Sequence, residues 1–178
     1  MTIFGGELRA QADELIARYP QSRSAMLPLL YLVQSAEGHV TQDGMREVGE
    51  LLGLSTAEVQ AVATFYTMYK REPTGKWLVS VCTNVSCALV GAREVFQRAE
   101  AEAGGEVTVE EVECLGACDA APVVQVNYCN YDRLGPDDVA DLIGKLRAGE
   151  VPAPARGPKP VPHDETARIL AGMGDERG

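Results

Sequence analysis

Four of the five cysteines fall in two close pairs, Cys82-x4-Cys87 and Cys114-x3-Cys118, and each pair follows a stretch that reads as a β-strand. Trp77-Leu78-Val79-Ser80-Val81 has buried-strand character and delivers Cys82 at its carboxyl end, while Val107, Val109 and Val112 alternate as a second strand ending at Cys114. Between them Leu89, Ala92, Val95, Phe96 and Ala99 form the apolar stripe of a helix that Ser86 can cap and Gly104-Gly105 stops. Strand, helix, strand implies a parallel pair joined by a right-handed crossover, so both carboxyl ends lie on one sheet edge, about 5 Å apart if the strands are neighbours. Cys87 and Cys118 lie in the segments leaving that edge. All four thiols can therefore converge without the backbone returning from a distance.

The rest of the sequence frames this unit. Val123-Val124-Gln125-Val126 reads as a third strand, followed by a turn around 127–130, a short fourth strand near Tyr131, and a helix carrying Val139, Leu142, Ile143 and Leu146. The order βαβ then ββα is thioredoxin-like. Upstream, residues 5–70 read as four short helices: one ending at Tyr19-Pro20, an apolar block from Met26 to Val33 ended by Gly38, a third from Asp43 to Leu52 stopped by Gly53, and a fourth opened by the capping box Ser55-Thr56-Ala57-Glu58. Pro73-Thr74-Gly75 is expected to end the fourth. Five of the ten prolines fall between Pro152 and Pro162, which predicts an extended, flexible stretch; Thr166–Met173 could form a turn or two of helix against a partner, but plain disorder is the expectation there too. The expected class is α/β: a helical N-terminal domain over 1–75, a thioredoxin-like domain over 76–149, and a Pro-rich tail over 150–178.

Three chemistries could use four converging thiols. Disulfides suit a reducing compartment poorly. Structural zinc takes four thiolates, but its knuckles usually place two residues between paired cysteines and serve folds too small to own a core. A [2Fe-2S] cluster also takes four thiolates, two per iron, and suits the wider bite found here. Cys87 in a first helical turn and Gly116 between Cys114 and Cys118 would turn amides toward the sulfurs and favour negative charge there. Cys129, past the third strand, reads as a free thiol. His39 and His163 stand in no metal spacing, and no nucleophile with a base, phosphate loop or dinucleotide fingerprint is present, so no catalytic residue is assigned.

Charge narrows the partners. With 16 basic against 26 acidic residues the net charge is -10, which argues against nucleic acid or anionic lipid. Between Arg98 and Arg133 there is no Lys or Arg, while Glu110, Glu111, Glu113 and Asp119 all fall there. These carboxylates would lower the reduction potential of an anionic centre held by the nearby thiols. The longest uncharged stretch, Trp77 to Ala92, is too short and polar to span a bilayer, and the first residues carry no secretory or Arg-rich leader pattern. A cytoplasmic location in a bacterium is the expectation, with no direct membrane insertion.

Cys82-Thr83-Asn84-Val85-Ser86-Cys87 and Glu113-Cys114-Leu115-Gly116-Ala117-Cys118-Asp119-Ala120-Ala121-Pro122, together with Tyr19-Pro20, the Met26-to-Gln34 block, Glu37-Gly38 and Val62-Ala63-Thr64-Phe65-Tyr66-Thr67-Met68-Tyr69, resemble a known family. It is the small [2Fe-2S] subunit of NADH-quinone oxidoreductase, respiratory complex I, and the likeness covers about residues 5–149. The resemblance implies one [2Fe-2S] cluster with Cys82, Cys87, Cys114 and Cys118 as its metal ligands. It also implies pairing with the flavin- and NADH-binding subunit of the same complex, which holds FMN and NADH, further peripheral-arm iron-sulfur subunits, and attachment to the inner face of the plasma membrane through the complex. Cys129 and the Pro-rich tail match no part of the pattern. Related proteins serve NAD-linked hydrogenases and formate dehydrogenases, and these remain alternatives, as do a zinc-stapled interaction module and a thiol oxidoreductase using Cys114 and Cys118. The aromatic group Phe65, Tyr66, Met68 and Tyr69 is the expected anchor for the partner.

Overall fold

Leu29, Leu30, Leu32 and Val33 are consecutive or nearly so and all fully buried, so the helix that carries them must be surrounded by other elements. In the computed structural model, which describes residues 2–174, that helix is α2 (Met26–Glu37), with α1 (Glu7–Ala17), α3 (Gln42–Leu52) and α4 (Thr56–Phe65) in the same unit. A short 3-10 turn, Ser22–Ala25, leads into α2. Gly53 ends α3 in the left-handed conformation at φ 69°, which a side chain would strain. The capping box at the start of α4 forms as expected: Ser55 Oγ accepts from the Glu58 N–H, and the Glu58 carboxylate accepts from the Ser55 N–H at 3.1 Å.

Helix α4 ends earlier than its apolar stripe suggests. Tyr66 is already extended, so Tyr66 and Tyr69 lie beyond the helix rather than on its face. The following segment is pinned instead by Gln34, a fully buried amide whose Oε1 accepts from the Lys70 N–H at 2.7 Å and whose Nε2 donates to the Met68 carbonyl at 3.3 Å.

The second unit, Thr74–His163, is built on a four-stranded sheet in the order β2-β1-β3-β4. Strand β1 (Trp77–Cys82) is buried at every residue, as a central strand covered on both faces must be. It runs parallel to β2 (Val107–Val112) and antiparallel to β3 (Val123–Val126), which forms a hairpin with β4 (Cys129–Asp132). Asn127 and Tyr128 make the two-residue turn with φ of 44° and 69°, the pattern that matches the twist of paired strands. Cys129 therefore opens β4 instead of sitting in the turn. A single helical turn, α5 (Val85–Ala88), follows β1. Helices α6 (Ala92–Glu102) and α7 (Pro136–Arg147) line the sheet's core with Val95, Ala99, Val139, Leu142, Ile143 and Leu146.

The segment after Gly149 departs from the expected tail. The Pro152 carbonyl accepts from the Tyr131 hydroxyl at 2.8 Å, the Ala155 N–H donates to the Asn130 carbonyl at 3.1 Å, and Arg156 pairs with Asp132 at 2.9 Å. The prolines cannot join the sheet, but their stretch lies along the edge strand β4 and covers it. A last helix follows, α8 (His163–Leu170), and from Asp164 onward the backbone belongs to the helical unit, Met1–Pro73 with Asp164–Gly178. There Ala167 and Ala171 are buried, Arg168 donates to Gln11 at 3.2 Å, and Arg18 donates to the Gly172 carbonyl at 3.3 Å. The described end of the expected tail, residues 164–174, thus completes the first unit's core.

Candidate metal centre

Parallel pairing of β1 with β2 places Cys82 opposite Val112, so Cys114 follows two residues past the register end on the same sheet edge. Cys87 does not sit in one long helix. It lies in the single turn α5, capped by Asn84 rather than Ser86, and Gly91 separates this turn from α6. Cys118 opens a 3-10 turn, Cys118–Ala120, that leads through a cis Ala121-Pro122 bond into β3.

These elements bring the four sulfurs together. Cys114 and Cys118 Sγ are 3.4 Å apart, both exposed, while Cys82 and Cys87 are buried with Ala92, Ala117 and Val123 around them. Burial pushes the Cys87 thiol up to about 11, against the opposing effect of the Val123 N–H aimed at it, and the neighbouring Cys82 adds to the rise. The Gly116 N–H lies 3.4 Å from Cys114 Sγ and holds that thiol below its usual range, with help from Cys118. Cys118 moves the opposite way, first because Cys114 draws on its proton, although Ser86 donates a hydrogen bond to its sulfur. Gly116 has φ 73°, a conformation that turns its amide onto the sulfur and that only glycine adopts freely.

Among the described residues no three His, Cys, Asp or Glu side chains meet as ligands of a single ion. Four thiols at one sheet edge, in two pairs each spanning a short loop, are the donor chemistry that a [2Fe-2S] cluster takes, two thiolates per iron. Amides at Gly116 and Val123 and the Ser86 hydroxyl add donors to the sulfurs, which such an anionic group requires. Cys129 opens β4, and the His163 ring is engaged with Thr74 Oγ1 at 3.1 Å.

Sequence reasoning missed the frame around the thiols. Thr83 Oγ1 donates to Glu111, the Thr83 N–H donates to the Val112 carbonyl at 3.2 Å, and Asn84 Nδ2 donates to Glu113 Oε2 at 2.6 Å. The available signal was Asn84 itself, since Asn is among the strongest helix caps. A cleft of about 560 Å³ on the helical unit holds none of the cysteines, and its charged groups are already engaged: Arg9 with Asp13, Arg46 with Glu50, and Glu47 with the Ile3 and Phe4 N–H groups.

A thioredoxin-like sheet with four cysteines at the carboxyl edge of its parallel strands is the frame of an iron-sulfur electron carrier. The sequence matches the thioredoxin-like [2Fe-2S] ferredoxin family over residues 12–147. It is 45% identical to the E subunit of the NADH-quinone oxidoreductase of Mycobacterium tuberculosis, over 96% of this chain and 71% of that one. It is 42% identical to subunit 2 of the NADH-quinone oxidoreductase of Thermus thermophilus, over 78% and 83%. An NAD+-reducing [NiFe]-hydrogenase in its air-oxidized state shares the fold at a TM-score of 0.58 and 21% identity, over 70% of this chain and 23% of that chain. The protein belongs to the thioredoxin-like [2Fe-2S] ferredoxin family and, within it, to the small iron-sulfur subunits of the NADH-quinone oxidoreductases. Its cofactor is one [2Fe-2S] cluster, and its role is that of one component in an oxidoreductase complex. No helix among the described residues is long and apolar enough to cross a membrane.

Proposed function

We propose that Cys82, Cys87, Cys114 and Cys118 hold the cluster and that the protein passes single electrons to and from the flavin of an NADH-binding partner in the same complex. The observation that carries this reading is the placement of the four cysteines at one sheet edge, with Cys82 and Cys87 buried and Cys114 and Cys118 exposed with their sulfurs 3.4 Å apart. Bound there, the cluster supplies one-electron chemistry at a potential set by its charge, hydrogen bonds and exposure. Cys82 and Cys87 bury one side of the site and keep water from it. Cys114 and Cys118 leave the other side open toward a partner. The proposed role asks this protein for no substrate-binding residue and no general acid or base.

Phe65 and Tyr66 support the partner reading from the helical unit. Phe65 is 77% exposed and stacks edge-on against Tyr66 at a centroid distance of 5.0 Å, a bare aromatic pair of the kind that anchors interfaces. Tyr69 is not part of this anchor, because it is buried and its hydroxyl donates to the Leu27 carbonyl at 2.9 Å. Cytoplasmic placement beside the membrane, with other peripheral-arm iron-sulfur subunits, follows from the same reading. Anaerobic purification tests it: brown protein with equal iron and acid-labile sulfide and a reduced-state EPR signal near g = 2 is expected. Colourless protein holding one zinc per molecule would overturn it.

A further inference from the structure

The β1–β2 ladder ends at Cys82 and Val112, and beyond it the two cysteine-bearing loops leave the sheet. One more main-chain contact follows, from the Thr83 N–H to the Val112 carbonyl at 3.2 Å. The next rung is made by side chains. Asn84 Nδ2 donates to Glu113 Oε2 at 2.6 Å, while Asn84 Oδ1 accepts from the Val85 N–H at 2.8 Å and caps α5. Asn84 therefore faces two ways: it starts the turn that carries Cys87, and it ties that turn to the residue beside Cys114.

We propose that Asn84 and Glu113 form a positioning pair that fixes the spacing between the Cys82/Cys87 loop and the Cys114/Cys118 loop, and that the Glu113 charge separately lowers the cluster's reduction potential. This rests on the four-cysteine ligand set given above. The two roles follow from different physics. The hydrogen bond is local and exposed, so it adds little to global stability, but it opposes the local opening through which iron would escape. The charge stands next to an anionic centre and opposes the addition of an electron. The bond needs an acceptor at position 113, whereas the potential needs a charge there.

Three substitutions in the full, cluster-loaded protein separate the roles. Asn84→Ser keeps a good helix cap and loses the donor to Glu113. Glu113→Gln keeps an acceptor and loses the charge, and Glu113→Ala loses both. Bleaching by an iron chelator, read from visible absorption, is expected to run about tenfold faster in Asn84→Ser and Glu113→Ala. The double variant Asn84→Ser/Glu113→Ala should be no faster than either single, because both remove the same bond. Glu113→Gln should bleach at the wild-type rate, yet show a higher midpoint potential in an EPR-monitored titration. Unfolding midpoints should stay unchanged throughout.

Wild-type bleaching rates in both Asn84→Ser and Glu113→Ala, or additive effects in the double variant, would overturn the positioning role. An unchanged potential in Glu113→Gln would overturn the charge role. If Asn84→Ser takes up no cluster, the contrast between Glu113→Gln and Glu113→Ala decides the positioning role alone. A wild-type protein that never loads a [2Fe-2S] cluster, or a Cys114→Ser variant with an unaltered spectrum, would sink the ligand set instead. The two failures are thus distinct.

Discussion

The side-chain amide of Asn127, in the turn between β3 and β4, donates to the Val161 carbonyl at 2.7 Å. The same nitrogen reaches the Lys76 carbonyl at 3.0 Å, and Asn127 Oδ1 accepts from the Leu78 N–H at 2.8 Å. One side chain, 2% exposed, thus joins the hairpin, the start of the central strand and the proline-rich segment. Replacing it by Ala removes the acceptor of the Leu78 N–H and the link between the hairpin and the Val161 carbonyl, while the Lys76 carbonyl keeps the His163 N–H at 2.9 Å. Asn127→Ala should lower unfolding stability by about 2–4 kcal/mol in denaturant titration. A loss below about 0.5 kcal/mol would show that the three bonds are replaced by water.

The ligand assignment predicts a four-against-one pattern. Serine at Cys82, Cys87, Cys114 or Cys118 should abolish or reshape the EPR and visible spectra, since an iron loses a thiolate or takes a poorer oxygen donor. Cys129→Ser on β4 should leave both spectra unchanged. Bleaching by Cys129→Ser with tolerance at one of the four would discard the set.

Cluster removal exposes the thiols to a different test. A thiol reacts as its thiolate, so a raised pKa slows alkylation at neutral pH and a lowered one speeds it. Cys87, pushed up to about 11 by burial, stays protonated at pH 8, while Cys114, exposed and held down by the Gly116 N–H, ionises more readily. Brief iodoacetamide treatment of reduced, cluster-free protein at pH 8 should label Cys114 first and Cys87 last by peptide mapping. Raising the pH toward 11 should narrow the gap. Early labelling of Cys87 would contradict the buried arrangement.

Phe65 and Tyr69 should separate binding from folding. Phe65→Ser is expected to weaken capture of the flavin-bearing partner about tenfold, roughly 1.4 kcal/mol, with an unchanged unfolding midpoint. Tyr69→Phe, which loses the bond to Leu27, should cost about 1 kcal/mol of stability and leave capture intact. Equal capture by Phe65→Ser and wild type in a calibrated pull-down would move the interface elsewhere.

The division of the chain predicts which pieces fold. A fragment covering 74–163 should fold and take up the cluster, because all four proposed ligands and the whole sheet lie inside it. A fragment covering 2–73 lacks α8, whose Ala167 is buried in the helical core together with Ala171 just beyond it. It should be less stable than the same unit in the full protein by about 2–3 kcal/mol, from lost apolar burial. Circular dichroism during thermal unfolding measures both.

Much of this was legible because short-range signals agreed with the fold. The Ser55/Glu58 box, the stop at Gly53 and the alternation in β2 are local, and local chemistry decided them. The gathering of the thiols was legible from topology, since a parallel pair leaves no choice of edge. Long-range effects were hidden. Gly91 breaks the helix after Cys87, yet the apolar stripe from Leu89 to Ala99 reads straight through it. The prolines correctly rule out sheet hydrogen bonding, but nothing in their composition shows that Tyr131, Asn130 and Asp132 wait at an edge strand to receive them. The Asn84–Glu113 bond needed the β1–β2 register before the two residues could be seen as neighbours.

The return of α8 to the helical unit sets an order of assembly during synthesis. Residues 74–163 emerge from the ribosome after α1 to α4 but before α8, so the iron-sulfur domain has its full sequence while the helical bundle still lacks a wall. Through that interval the α1 side of the bundle, where Gln11 and Arg18 later receive α8 and the turn after it, stands uncovered. Cluster insertion can thus precede closure of the helical core by Ala167 and Ala171, so a nascent polypeptide would have its proposed redox centre complete before its first-made unit is finished.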